Sequence, residues 1–132
     1  METVLKFFKD NPVFYLATVE GDQPRVRPFG AIAQYDGKLY LCTNSTKDVY
    51  KQLKKNPKVE LSGTSAEGDS WLRVAAVLQR DTTREAKVAM LEDNPGLKNM
   101  YGPDDGIFEV FYLKDAVASF SSFTGQPKTV RF

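Results

Sequence analysis

Hydrophobic residues along this chain follow two periods. Val4, Leu5 and Phe8 recur at helical spacing within Glu2–Lys9, and Asn11-Pro12 ends the run. From there β-branched and aromatic residues take over. Val13–Val19 reads as a strand closed by the Glu20-Gly21-Asp22 turn, and Arg25–Gln34 reads as a second strand. Pro28 lies inside that second strand, which predicts an edge, a bulge or an interruption there. Asp36-Gly37 is a tight-hairpin signal leading into a third strand, Leu39–Thr43.

Ser45 and Asp48 fit the Ser-x-x-acid pattern that caps a helix, which would run through Leu53 and stop near Asn56-Pro57. Lys58–Thr64 and Trp71–Arg80 read as strands joined around Glu67-Gly68-Asp69. Thr83–Glu92 reads as a helix packing through Ala86, Ala89, Met90 and Leu91, with Asn94-Pro95-Gly96 as its stop. Ile107–Leu113 and Ala116–Ser122 read as strands separated by Lys114-Asp115, and Lys128–Phe132 as a short strand or arm. Strands arriving mostly as hairpins predict an antiparallel α+β domain, mainly β, built as a closed or partly closed barrel. A doubly wound parallel sheet needs a regular strand–helix alternation that this chain lacks.

Composition narrows the chemistry. A chain of 132 residues predicts one domain spanning 1–132, with a core that needs no disulfide. Eighteen Lys and Arg against seventeen Asp and Glu give no global pull towards nucleic acid or an anionic membrane, so any anion site is local. There is no histidine, which removes Ser-His-Asp and Cys-His catalysis and any histidine-bound zinc. Cys42 is the one cysteine, so no internal disulfide forms; it reads as a buried thiol and suits a cytoplasmic location. Glu2, Lys6, Lys9 and Asp10 interrupt the N-terminal apolar residues, unlike a signal peptide, and no apolar run is long enough for a membrane helix.

Two clusters remain as candidate chemistry. Arg25 and Arg27 are two apart, so a regular strand puts them on one face, either solvated or presented to an anion. Thr43, Ser45, Thr46 and Lys47 surround a predicted helix start. That segment is either a self-sufficient cap or a phosphate cradle of free amides, hydroxyls and one ammonium. Trp71, Phe120 and Phe123 read equally as packing residues or as the walls of a ligand site.

The order of these segments resembles the pyridoxamine 5′-phosphate oxidase-like, flavin-binding split-barrel family, in particular its short general-stress-type members. The likeness is carried by Phe14–Val19, Gly21–Phe29, Leu39–Asn44, Ser45-Thr46-Lys47, Lys55–Val59 and Ser119–Gly125, and it covers nearly the whole chain. It implies a six-stranded antiparallel split barrel with flanking helices, dimerising with two FMN sites at the subunit interface. It also implies that Arg25 or Arg27, with Thr43, Ser45, Thr46 and Lys47, holds the FMN phosphate. Pro28, Phe29 and Cys42 would then lie along the flavin, with Trp71, Phe120, Ser122, Phe123 and Arg131 closing the site.

Gly30 stands where the oxidase strand motif ends in lysine, and serines replace the terminal tryptophan and basic residues that read the vitamin. These departures speak against vitamin oxidation. The expectation is therefore an FMN-dependent oxidoreductase of unassigned substrate. Its alternatives are a non-catalytic flavin or haem storage module and a cofactor-free interaction barrel.

Overall fold

A computed structural model describes residues 1–132. In chain order the elements are α1 (Glu2–Asp10), β1 (Phe14–Glu20), β2 (Gln23–Phe29), β3 (Ala33–Tyr35), β4 (Lys38–Asn44), α2 (Asp48–Lys55), β5 (Lys58–Thr64), β6 (Ser70–Asp81), α3 (Arg84–Asp93), β7 (Phe108–Ser122) and β8 (Lys128–Arg131). A 3-10 turn at Pro95–Asn99 follows α3. No helix is long and apolar enough to cross a membrane.

The strands form one antiparallel sheet in the order β2-β1-β5-β6-β7-β4-β3, with β8 added to β7. Strands β2 and β3 are its two edges, yet only Gly30–Ile32 separate them. The chain from Phe29 to Ala33 reaches at most about 14 Å. The sheet must therefore curl until its edges nearly meet, leaving a barrel split between β2 and β3. Inside it, Leu16, Leu41, Leu61, Leu72, Val74 and Ala118 form a continuous apolar core with Val4 and Phe8 of α1 and Val49 and Leu53 of α2. Helix α3 covers the outer face of β3, β4 and β7 through Ala86, Met90 and Leu91.

Local chemistry explains most boundaries. Asp36 and Gly37 sit at φ 51° and 72°, the two left-handed positions of a tight hairpin turn. The Thr83 hydroxyl caps α3 by accepting from the Ala86 amide at 3.3 Å. Pro28 stays within β2, where an edge position spares its missing N–H any ladder partner.

Four expectations are corrected. There are eight strands rather than six. Arg25–Gln34 is two edge strands, because Gly30–Ile32 leaves one side of the barrel to reach the other. Lys114-Asp115 does not divide two strands: β7 runs through it on a bulge opposite Ala76, with Asp115 at φ 53°, a conformation aspartate tolerates. That bulge lets β7 pair with β4 at its start and β8 near its end. Finally, Ala89 is only partly buried, whereas Ala86, Met90 and Leu91 are fully so.

Candidate functional site

The split in the barrel opens into a cleft of about 600 Å³. One wall is the end of β2 with Gly30 and Ala31; another is Cys42 and Thr43 at the end of β4, with Lys47 and Val49 at the start of α2. The segment after α3 closes the third side with Asn94, Leu97, Met100 and Tyr101.

Arg25 and Arg27 share the inner face of β2, opposite Thr18 and Leu16, and there their roles separate. Arg25 is exposed and donates through Nε and Nη2 to Glu20 Oε1 at 3.2 and 2.9 Å. Arg27 lines the cleft and is held from behind. Its Nη1 donates to the Leu16 carbonyl at 3.1 Å and to Thr18 Oγ1 at 2.8 Å, and its Nη2 donates to Gln52 Oε1 at 2.6 Å. Three of five guanidinium hydrogens are thereby used; the Nε hydrogen and one Nη2 hydrogen keep no protein partner. Burial and the neighbouring Arg25 charge lower the Arg27 pKa from its ordinary value, against an opposing pull from Asp48.

Thr43 is 6% exposed, lines the cleft and makes no side-chain hydrogen bond within the protein. No buried polar side-chain atom in the chain is sealed without a partner, so this hydroxyl opens into the cleft. Lys47 is exposed, lines the cleft and joins no ion pair.

The expected Ser45–Asp48 cap does not form. Asn44 Oδ1 instead accepts from the Thr46 amide at 2.9 Å and from the Thr46 hydroxyl, closing a turn that delays the helix. Lys47 becomes the N-cap residue and offers no capping side chain, so the first-turn amides of α2 keep no side-chain cap. Ser45 and Thr46 do not line the cleft.

Cys42 lines the cleft as a neutral thiol: burial pushes its pKa up to about 12, against the lowering effect of Lys47. Pro28 and Phe29 also line it. The other expected site residues gather elsewhere. Trp71 opens β6 with its ring 5.1 Å from that of Phe123, and Phe120 meets Phe7 at 6.1 Å. Ser122 Oγ accepts from the Gly125 amide at 2.8 Å, and Arg131 stands opposite Val117 on β8. None of these five lines the cleft within one chain.

Sequence reasoning missed Thr18, Gln52 and the Asn94–Tyr101 wall. A polar Gln52 between Val49 and Leu53 on the buried side of α2 was a signal for the first pair. Asn94 donates to the Ile32 carbonyl at 3.1 Å, and Tyr101 stacks on Phe108 while accepting from Asn44 Nδ2 at 2.8 Å, so this wall is anchored at both ends. No group of acidic, cysteine or histidine side chains is arranged to hold a metal. What the cleft lining offers is a set of cationic and donor groups, Arg27, Thr43, Lys47 and the start of α2, together with an apolar set that includes Phe29, Leu97 and Met100.

Comparison with known proteins gives the same architecture. A NimC/NimA family protein from Clostridium acetobutylicum is 49% identical, with a TM-score of 0.96 over 100% of this chain and 92% of that one. A protein from the same organism, related to general stress protein 26 and assigned to the pyridoxinephosphate oxidase family, shares the fold at 17% identity. Its TM-score is 0.76 over 99% of this chain and 93% of that one. A haem-binding protein from Mycobacterium smegmatis shares it at 19% identity and TM-score 0.75, over 93% of this chain and 54% of that one. No curated protein matches the sequence significantly. Residues 1–130 match the family described as pyridoxamine 5′-phosphate oxidase, and the chain belongs to that family.

Proposed function

We propose that this protein is an FMN-binding flavoprotein, working as a homodimer, with oxidoreductase chemistry on a small molecule. The observation that carries the reading is the convergence of four unspent anion-binding features on one cleft. These are the free donors of Arg27, the unpartnered Thr43 hydroxyl, the Lys47 ammonium and the uncapped start of α2. Together they suit a phosphate. Phe29, Leu97 and Met100 give the same cleft an apolar stretch for a flat ring system. A bound flavin supplies the hydride or electron chemistry, and the protein supplies position and charge. That division suits a chain with no histidine to serve as acid or base.

The dimer has support of its own. Tyr15 and Val26 are 50% and 68% exposed on the outer face of β1 and β2, and Val13 beside them is 60% exposed. Phe123, against Trp71, is 77% exposed. Exposed apolar residues grouped on the β1–β2 face suit a contact with a second copy.

Haem is the second reading, favoured by the haem-binding structural relative. Without histidine, iron ligation here would fall to Met100, Tyr101 or Cys42 of the cleft lining. The phosphate cradle favours flavin. Titrating purified protein with FMN, riboflavin and haem, followed by visible absorbance, tests both. The expected result is saturable FMN binding with riboflavin much weaker. Absence of FMN binding overturns the proposal, and tight haem binding in its place selects the second reading.

A further inference from the structure

Lys51 and Lys55 stand one turn apart on the exposed side of α2. With Val19, Glu20 and Gly21 of the β1–β2 hairpin, and with Gln52 and Asn56, they enclose a second cleft of about 340 Å³. Lysines in a last turn are also what the partial negative charge of a helix C-terminus attracts, so by themselves they do not mark a site.

Gln52 does. It is 6% exposed, and its Oε1 accepts from the Thr18 hydroxyl and from Arg27 Nη2, both at 2.6 Å. Those two bonds fix the amide orientation and leave Nε2 without a protein partner. Because no buried side-chain polar atom is sealed unpaired, Nε2 reaches solvent, and Gln52 lines this cleft rather than the larger one.

Asn56 adds a second donor to the lining. Asn56 Oδ1 accepts from the Lys58 amide at 3.2 Å, which leaves Nδ2 free. Both Arg25 bonds fall on Glu20 Oε1, which leaves Oε2 as the one carboxylate acceptor in this lining, against two ammonium groups. Lys51 and Lys55 join no ion pair, whereas Lys54 between them lies over the Tyr50 ring at 5.6 Å. Two ammonium groups and two amide N–H₂ groups are thus left with hydrogens to give.

We infer that this second cleft is an oxyanion-binding site for the phosphate or carboxylate group of a small molecule. Gln52 Nε2 forms its floor and Lys51 and Lys55 form its rim. The site is independent of the flavin cleft in its ligand-facing donors, and its existence does not depend on FMN being bound.

The experiment is a titration of ¹⁵N-labelled protein with inorganic phosphate and, separately, acetate at constant ionic strength, following the side-chain N–H₂ signals of Gln52 and Asn56. Saturable movement is expected in the wild type and in Lys47→Ala, which weakens only the larger cleft. In the Lys51→Ala/Lys55→Ala double variant, whose changes are both at exposed positions, the dissociation constant should rise about tenfold. A response to phosphate alone assigns a phosphorylated ligand, and a response to both probes admits carboxylates. Three results each overturn the site: no saturable movement with either probe, equal affinity in the double variant, or movement that disappears in Lys47→Ala.

Discussion

Gln52 Oε1 accepts from Arg27 Nη2 at 2.6 Å, tying the edge strand β2 to helix α2. The same oxygen takes the Thr18 hydroxyl, so a half-buried arginine on an otherwise free edge is held in one orientation. Replacing Gln52 by Leu leaves two donors short of a partner, at a cost of about 1–3 kcal/mol in stability. If Arg27 serves the proposed phosphate site, FMN affinity is expected to fall about tenfold while riboflavin affinity stays constant. Thr18→Ser keeps the hydroxyl and should behave as wild type, whereas Thr18→Val should follow Gln52→Leu. Denaturant titration and flavin binding measured side by side check this; equal losses for both flavins would contradict a positioning role.

Lys47 is exposed and forms no ion pair, so its removal should leave stability unchanged. Lys47→Ala is expected to weaken FMN by about tenfold to a hundredfold, the range of a charge-assisted hydrogen bond, with riboflavin unaffected. Arg25→Ala, which breaks only the exposed pair with Glu20, should change neither value measurably.

Cys42 is predicted to be chemically quiet. With its pKa pushed up to about 12, iodoacetamide should modify it at least about a hundredfold more slowly than a free cysteine at pH 8. Lys47 acts on the thiol in the opposite direction, so Lys47→Ala should slow the reaction further. Mass spectrometry over time reads both effects.

Tyr40 donates to Asp81 Oδ2 at 2.7 Å, and the pair should shape both ends of the pH–stability profile. Burial, then the Asp81 hydrogen bond and charge, raise the Tyr40 pKa well above its ordinary value. Its contribution is therefore complete below about pH 10 and is lost as the pH climbs from there. Burial pushes the Asp81 pKa up, but bonds from the Thr83 amide, the Tyr40 hydroxyl and the Thr83 hydroxyl outweigh it and hold the value below normal. That contribution is present above about pH 4 and is lost as the pH falls through the depressed value. Tyr40→Phe should cost about 1 kcal/mol at neutral pH and flatten the alkaline limb. Urea midpoints across pH test it, and an alkaline limb that stays as steep in the variant would refute the assignment.

Val26 is 68% exposed on the outer face of β2, so Val26→Asp should not disturb the core. If that face seats a second copy, light scattering will show the variant shifted to monomer, and FMN binding will fall with it. A variant that remains dimeric places the interface elsewhere.

Much of the fold was legible locally. The Asp36-Gly37 turn is set by φ preference, and the missing N–H of Pro28 signalled an edge, a bulge or an interruption, of which the edge is what forms. The α2 boundary was misread because two local motifs competed. The Asn44 side chain captured the Thr46 amide before Ser45 could cap the helix, and residue order alone does not rank those bonds. The β7 bulge was misread for a related reason: Lys114-Asp115 has turn chemistry, but pairing with β6 on both sides carries the strand through.

Composition and residue order were enough to set the class of protein. Its strand pattern, its lack of histidine, its balanced charge, and its clustered arginines and hydroxyls depend on composition and short-range order. Which of those groups are available to a ligand depends on the folded arrangement. It turned Arg27 inward and spent Arg25 on Glu20, left Thr43 unpartnered, diverted Thr46 to Asn44, and supplied Gln52 and the Asn94–Tyr101 wall from distant segments. The physical reason is that a donor's availability depends on every acceptor within about 3 Å, and most of those acceptors are brought by strands and helices remote in sequence.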